Sequence, residues 1–581
     1  MWKKTLAVVM AGVAACSMVA CGGGGDSGGG AQADTTVIAI ANYELGVGRA
    51  WLDAATKRFS EKAKNLSYQE GKTGVSFEIQ VGSVNSSTMN TSANHIFFDE
   101  ANSDVRTLAQ KGYLMDISDI VTEKLTEYNE NKTIEDKIDV NYRQMLKGND
   151  GKYYGLPNTE WYPGVVYDVE TFTNYGLYLA APDAVDSTTW SCNYGTAKFV
   201  GKGADNEFGT ADDGKKSCGN DGEYGTADDG LPTTLVEFLV LCDYMSKRGV
   251  TPITMSGAYE LYGNYLIEGL WASLAGAEGM ATNFTFDGEL EVVDGWTEEP
   301  LFDGISYIKK PTTKKVDVTE ATGYYARDAV ARYYATAMLE IIQKEGWFSE
   351  DASNSNISHT DTQGNFIFGE HADNAKAIGM MIEGSYWYIE SVNCGNFEDY
   401  YGATEKSERN LAWMSLPTSL NQPVTAGNGR ESVMLETAIA YGFINANIKD
   451  EGLKQACKDF LQFLYTDESL REFTVVSGTP KAVSYTMTDA DKAKLDAFPL
   501  SVWNAKENGT VVYCGGQTNT FLTQATSFRL YSGAGIFDPE IDGTVFQEVI
   551  NAIRQNKTAK QCFEATRWTA QYWTSVLYKG E

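Results

Sequence analysis

The chain has 581 residues, too many for a single core, and its 43% hydrophobic and 22% charged residues describe a globular protein, not a disordered or fibrous one. Asp and Glu outnumber Lys and Arg by 78 to 47, and the net charge of −31 argues against a DNA or RNA partner. His95, His359 and His371 are the only histidines and form no HExxH spacing, which argues against a zinc hydrolase, whereas 33 Tyr and 12 Trp suit ligands with flat apolar faces.

Lys3 and Lys4 precede a short apolar run from Thr5 to Ala15, too short to span a bilayer, so residues 1–20 read as a secretory signal peptide. Val19-Ala20-Cys21 resembles a bacterial lipobox, which implies cleavage before Cys21 and lipidation of its thiol and new amine. Residues 22–34 (GGGGDSGGGAQAD) read as a flexible tether. No later segment has eighteen consecutive apolar residues, so the lipid is expected to be the only membrane anchor. Seven cysteines remain beyond residue 21, widely spaced and with no CxxC pair. One or two disulfides are compatible with export but not required.

The body opens with the β-branched run Thr35 to Ala41, a predicted strand. Gly46 and Gly48 follow, then a helix from about Arg49 with Trp51, Ala55 and Phe59 on one face. Gly74 to Val81 alternates as a second strand, His95 to Phe98 is a third, and Leu108-Ala109 is helical. This βαβ rhythm predicts a mostly parallel sheet covered by helices, with ligand beyond the carboxyl ends of its strands. Those ends are Asn42 to Gly48, Gly82 to Asn90, and Asp99 to Asn102. Further on, Val165 to Tyr167, Ala377 to Ile382, Leu411 to Leu416 and Ala438 to Ile444 read as strands. Asp450 to Tyr465, Gln547 to Arg554 and Thr558 to Leu577 read as helices, the last packing Phe563, Trp568, Tyr572 and Trp573.

Several tracts, in order, resemble extracellular solute-binding proteins of sugar importers (family 1), of the kind that includes maltodextrin binders. They are Tyr154 to Pro157, Gly164 to Asp168 with Phe172, Ala377 to Trp387, Leu416-Pro417, the helix 450–465 ending in Asp467-Glu468, and Gly478 to Pro480. The resemblance covers about residues 36–581, apart from an insert near 186–232. It implies an α/β, type II periplasmic-binding-protein-like fold of two hinge-linked lobes, with ligand in the interlobe cleft. A first lobe of 35–160 plus 432–478 and a second of 165–430 plus 480–581 are expected. The implied protein is not an enzyme. It is an extracytoplasmic monomer, lipid-anchored at Cys21, that delivers a carbohydrate to the permease subunits of an ABC transporter.

A sugar has apolar C–H faces for Trp and Tyr and a hydroxyl rim for Asp, Glu, Asn and Arg. The candidates in loops are therefore Tyr43 and Glu44 after the first strand, Asn85 and Ser86 after the second, and Asn94 and Asp99 flanking the third. Trp161 and Tyr162 precede the crossover strand, Trp271 lies in the helical run Leu266 to Leu274, and Arg430 sits in a Gly-Asn-Gly-Arg loop. Tyr386 and Trp387 follow Gly384 at a position where the family often stacks on sugar. Neighbours point differently, so one of the two is expected to face the core, and Trp387 is the one expected in the site, opposite Trp161. Maltodextrin binders open their penultimate helix with an aromatic pair, but here that stretch is Asp542-Gly543, which points to a different oligosaccharide.

The insert carries GADNEFGTADDG at 203–214 and GNDGEYGTADDG at 219–230, identical at nine of twelve positions. Asp205, Glu207, Asp212 and Asp213, with Asp221, Glu223, Asp228 and Asp229, are candidate ligands for structural Ca²⁺, with Thr210 and Thr226 adding oxygens. Gly209 and Gly225 would permit the turns, and Phe208 and Tyr224 would pack the loops on the lobe. A solvated acidic loop is the competing reading. For the whole chain the alternatives are a binder of peptides or other solutes, a secreted carbohydrate-acting enzyme, and a calcium-dependent adhesin.

Overall fold

The computed structural model describes residues 34–44, 46–84, 89–100, 105–372, 375–437, 440–514, 536–537 and 546–574. Cys21, Asn85, Ser86 and the Asp542-Gly543 stretch lie outside these residues. In chain order the strands that matter here are β1 Thr36–Asn42, β2 Val75–Val81, β3 Ile96–Glu100, β4 Leu156–Pro157 and β5 Pro163–Asp168. They continue with a hairpin of β6 Ser187–Cys192 and β7 Gly195–Val200, then β8 Thr251–Thr254 and a longer hairpin of β9 Gly288–Pro300 and β10 Lys309–Val318. The remainder are β11 Ile378–Gly384, β12 Leu411–Trp413, β13 Val433–Glu436, β14 Ala440–Ile444 and β15 Thr510–Tyr513.

Two sheets organise the molecule. The first has the order β2-β1-β3-β14-β4, with β1 parallel to β2 and β3, and β14 antiparallel to β3 and β4. The second has the order β12-β5-β11-β8, with β5 antiparallel to both its neighbours and β11 parallel to β8. Every residue of β5 and β11 is buried, because helices cover the second sheet. The result is a mixed α/β fold of two lobes.

The helices that position the cleft are α1 Ala50–Ala63, α2 Leu235–Lys247, α3 Tyr262–Thr285, α4 His359–Phe368 and α5 Trp387–Asn393. Helix α1 buries Trp51, Leu52, Ala55 and Phe59, the face predicted from their spacing. Helix α3 is broken at Gly276, whose φ of 71° is left-handed. Further on come α6 Glu451–Phe463, α7 Asp467–Ser477 and α8 Ala497–Asn508. Asp450, Thr466 and Asp168 cap helices through their side chains, as their sequence positions favour.

The differences from expectation have local causes. The predicted helix 558–577 is interrupted, with Ala559–Ala565 and Ala570–Tyr572 on either side of a break. The segment 433–436, expected with the first lobe, runs parallel to β15 outside the first sheet. The two hairpins β6-β7 and β9-β10 are additions that hydrophobic periodicity did not reveal, since one face of each is largely exposed. Among the described residues the seven cysteines form no disulfide. Among the described residues no helix is long and apolar enough to cross a membrane.

Candidate functional site

The chain passes from the first sheet to the second along 157–163, and this crossing touches Glu436, Ala440 and the segment after α7 at Pro480. The Asn158 N–H donates to the Ala440 carbonyl and the Glu160 N–H to the Pro480 carbonyl, both at 2.9 Å. The Trp161 N–H donates to Glu436 Oε2 at 2.7 Å. Glu160 is wholly buried and is met by the Lys506 ammonium and by the hydroxyls of Tyr162 and Tyr513. Tyr162, expected in the site, is a fully buried part of this hinge network and is not available to a ligand.

The register of β5 against β11 decides which aromatics meet. Pro163 faces Gly384 in that antiparallel pair. Extending the register by two residues sets Tyr162 against Ser385 and Trp161 against Tyr386. The Ser385 N–H indeed donates to the Tyr162 carbonyl at 2.9 Å. The Trp161 and Tyr386 rings lie 5.0 Å apart at 84°. Tyr265 completes the other side of Trp161 at 5.9 Å, and Tyr262 stands 4.9 Å from Tyr265. The hydroxyls of Tyr262 and Tyr386 are 3.4 Å apart. Gly384 makes the arrangement possible, since a Cβ there would stand 2.3 Å from Tyr386 Cε1.

Glu383 and Glu390 act on the tyrosines of this cluster, and Glu100 on Tyr43 of the first lobe. At the carboxyl end of β3, Glu100 accepts from the Thr159 hydroxyl at 3.3 Å. From the second lobe, Glu383 accepts from the Gly384 N–H at 2.8 Å and from Gln363 Nε2 at 3.0 Å. The same Gln363 nitrogen reaches Glu390 Oε2 at 2.8 Å, and His359 Nε2 lies 3.2 Å from Glu390 Oε1. Burial, reinforced by the Asp99 and Glu390 charges against the Thr159 hydrogen bond, pushes Glu100 up to about 8. Burial and then the Glu390 charge push Glu383 up to about 8 as well. Burial lowers Lys481 to about 7 against the opposing pull of Glu100. Burial would lower His359, but the hydrogen bond and charge of Glu390 outweigh it and the imidazole is raised. Tyr43 is raised to about 12 by burial and by Glu100, Glu390 and Asp99. The Glu390 charge therefore acts on Tyr43 and Glu100 of the first lobe as well as on Glu383 and His359 of the second. The loop after β1 also touches α5, where a Cβ at Gly48 would stand 2.5 Å from Asn393 Nδ2.

No protein-family model and no curated protein sequence matches this chain. Solved structures do. A chitin oligosaccharide binding protein superposes with a TM-score of 0.50 at 14% identity, over 91% of this chain and 97% of its own. The apo form of RafE from Streptococcus pneumoniae superposes with a TM-score of 0.50 at 12% identity, over 93% of this chain and 99% of its own. The chain shares their fold.

Other sequence-predicted residues fall elsewhere, each for a physical reason. Trp387 is a correction. It is wholly buried, with Phe498, Phe397 and Phe366 rings at 5.2, 6.0 and 6.3 Å, and cannot stack on a ligand. As first residue of α5 it points away from its neighbour Tyr386, which takes the cleft side instead. Trp271 is core as well, only 6% exposed on α3. Asn94 stands before β3, at the end of the sheet opposite the cleft, where its carbonyl accepts from Asn445 Nδ2. Arg430 holds a loop together through Ser419 Oγ at 3.0 Å and the Gln422 carbonyl at 2.6 Å. Asp99 is fully buried beside Glu100, with Oδ1 accepting from the Val84 N–H at 3.0 Å. Glu44 is half-buried next to Tyr43, and burial raises its carboxyl despite Arg49. Sequence reasoning missed Glu100, Tyr262, Tyr265, His359, Gln363, Glu383 and Glu390. Tyr259, Tyr262 and Tyr265 at three-residue spacing were the available signal for an aromatic helix face.

The two acidic loops share one hydrogen-bond pattern. Asp212 Oδ2 accepts from the N–H groups of Ala204 and Asp205 at 2.7 and 3.3 Å, and Asp228 Oδ2 does the same for Asn220 and Asp221 at equal distances. Asp213 caps the Gly209 N–H and Asp229 the Gly225 N–H, both at 2.7 Å. Asp205 and Asp221 accept from the N–H groups of Glu207 and Glu223. Thr210 and Thr226 donate to Asp212 and Asp228. Six of the eight expected carboxylates are thus engaged in main-chain capping, and no three His, Cys, Asp or Glu side chains converge as a metal site among the described residues.

Proposed function

We propose that this chain is a lipid-anchored extracytoplasmic binding protein that captures an oligosaccharide in its interlobe cleft and presents it to an ABC importer. The observation that carries the reading is the cluster of Trp161, Tyr262, Tyr265 and Tyr386 at the hinge, ringed by Glu100, Glu383 and Glu390. Flat rings match sugar C–H faces, and carboxyls and amides match hydroxyls. The hinge segment 157–163 supports closure of the lobes around a ligand. The chitin oligosaccharide binding protein of the same fold supports a carbohydrate. Cys21 after a signal-like run supports the anchor.

A thermal-shift and calorimetric panel of oligosaccharides tests the function, since a ligand that binds only the folded state raises the melting temperature. Trp161→Ala and Tyr386→Ala are expected to weaken binding roughly ten- to hundredfold while the protein stays folded. No melting shift with any oligosaccharide would remove the carbohydrate reading. Retention of unprocessed or released protein in a Cys21→Ala variant tests the anchor.

For the acidic loops we propose that Ca²⁺ adds to a shape already held by main-chain hydrogen bonds. The support is the oxygen-rich repeat, together with the Asp221 charge that helps raise Asp228. Equal melting with chelator and with millimolar calcium would leave the loops as self-capped turns.

A further inference from the structure

The cleft holds more carboxyl groups than a neutral sugar calls for. Its walls carry Asp99 and Glu100 on β3 and Tyr43 after β1 in the first lobe. The second lobe supplies Glu383 from β11, Glu390 from α5, His359 and Gln363 from α4, and the Tyr262, Tyr265 and Tyr386 hydroxyls. Glu268, further along α3, also acts on Tyr265. Among the described residues the nearby cations are His359, already committed to Glu390, Arg49 acting on Glu44, Arg327 acting on Glu268, and Lys481. The Lys481 ammonium bonds Asn158 Oδ1 at 2.6 Å and lies against the rings of Phe473, Trp51 and Tyr465, behind Glu100.

Gln363 adds an independent sign of a missing donor. Its side chain is fully buried, and its Nε2 is held between Glu383 and Glu390. The oxygen of the same amide has no hydrogen-bond partner among the described residues. An acceptor left unmade in a buried site is costly, and two carboxyl groups sharing one amide cannot both ionise without repulsion. A ligand ammonium answers both, because it brings up to three donors and one positive charge, and tyrosine faces attract it.

We propose that the cleft selects an oligosaccharide bearing a free, protonated amine, with the ammonium seated between Glu383, Glu390 and the Tyr262 and Tyr386 rings. This rests on the carbohydrate reading and narrows it. Entry of the cation draws Glu383 back to its ionised form, so binding near neutral pH releases a proton to buffer.

The test is calorimetry of the full mature chain with three probes at about pH 6: a glucosamine trisaccharide, its fully N-acetylated counterpart, and spermidine. The amine-bearing trisaccharide is expected to bind at least about tenfold more tightly than the acetylated one. Glu383→Gln and Glu390→Gln should each bring that ratio to within about twofold. The wild-type ratio decides even where a variant does not fold. Equal or tighter binding of the acetylated sugar overturns the proposal and leaves the carbohydrate reading standing. Binding of spermidine alone overturns both. Binding of none of the three overturns the proposal and leaves the carbohydrate reading to the wider sugar panel.

Discussion

The loops 203–214 and 219–230 differ at three of twelve positions, and each difference marks a place where their surroundings differ. Ala204 is exposed, whereas its counterpart Asn220 is buried and donates to Ser415 Oγ at 2.9 Å and the Leu416 carbonyl at 2.8 Å. Asn206 and Gly222 both adopt left-handed φ, 60° and 72°. Asn tolerates that region and suffices in the first loop. In the second loop a Cβ would stand 2.6 Å from the Gly429 nitrogen, so only glycine fits. Phe208 lies half-buried over Gly176, whereas Tyr224 is 41% exposed with the Lys215 ammonium 3.6 Å above its ring. The nine shared residues write the hydrogen bonds of the turn, and the three others fit each copy to its neighbours.

The same contrast reaches the charges. The Thr210 hydroxyl and then the Ala204 N–H hold Asp212 below the usual carboxylate range. Its twin Asp228 makes the same bonds, yet burial and then the Asp221 charge raise it. Identical local chemistry thus yields opposite shifts, because desolvation is a property of the neighbours and not of the turn.

Exchanging the glycine should break the equivalence most. Gly222→Asn is expected to cost about 3 kcal/mol through backbone collision with Gly429, measured by denaturant unfolding. The reverse change, Asn206→Gly, should stay within about 0.5 kcal/mol. Equal costs would mean that the second loop does not press on 427–430. Removing the shared acceptor comes next. Asp228→Ala in calcium-free buffer should cost about 2 kcal/mol, since the Asn220 and Asp221 N–H groups lose their partner in a partly buried loop. Asp212→Ala should move the unfolding midpoint much less, because water replaces its carboxylate. Phe208→Ala is expected to cost about 1 kcal/mol, less than a fully buried ring, because it already borders a cavity of about 380 Å³ with Tyr178 and Lys216. Tyr224→Ala should leave the midpoint near that of the unmodified protein.

The smallest effect is in pH. A lowered folded value makes Asp212 stabilising above the unfolded range near 3.8, a contribution lost as pH falls through its folded value. A raised folded value makes Asp228 most favourable in acid, a contribution lost as pH rises through its folded value. Acidification from about pH 5 to 3 should therefore loosen the Ala204 N–H and not the Asn220 N–H, as read by hydrogen exchange corrected for intrinsic rates. Equal loosening of both would show that burial does not separate the two carboxylates.

The same division between local and long-range causes explains what could be read from residues alone. The strands near 36–42, 75–81, 96–100, 378–384 and 440–444 and the helices near 50–63 and 451–463 are legible because alternation and the 3.6-residue period are local signals. So is the repeat, whose shape is made by bonds spanning two to eight residues. The cleft is different. Trp161 is legible as a loop aromatic before a crossover strand, but choosing Tyr386 over Trp387 needs the β5-β11 register and the space left by Gly384. Glu100 and Glu390 lie 290 residues apart in a sequence rich in acids, and nothing local singles them out. Length, composition and pattern determine an acidic, multi-unit α/β chain with a signal-like leader and a repeated acidic loop, while the two lobes are implied by the resemblance and the capping of the loops comes from the structure. Tertiary structure alone decides which side chains share the cleft and which way each pKa moves, because burial and opposing charges come from residues the chain brings together only on folding.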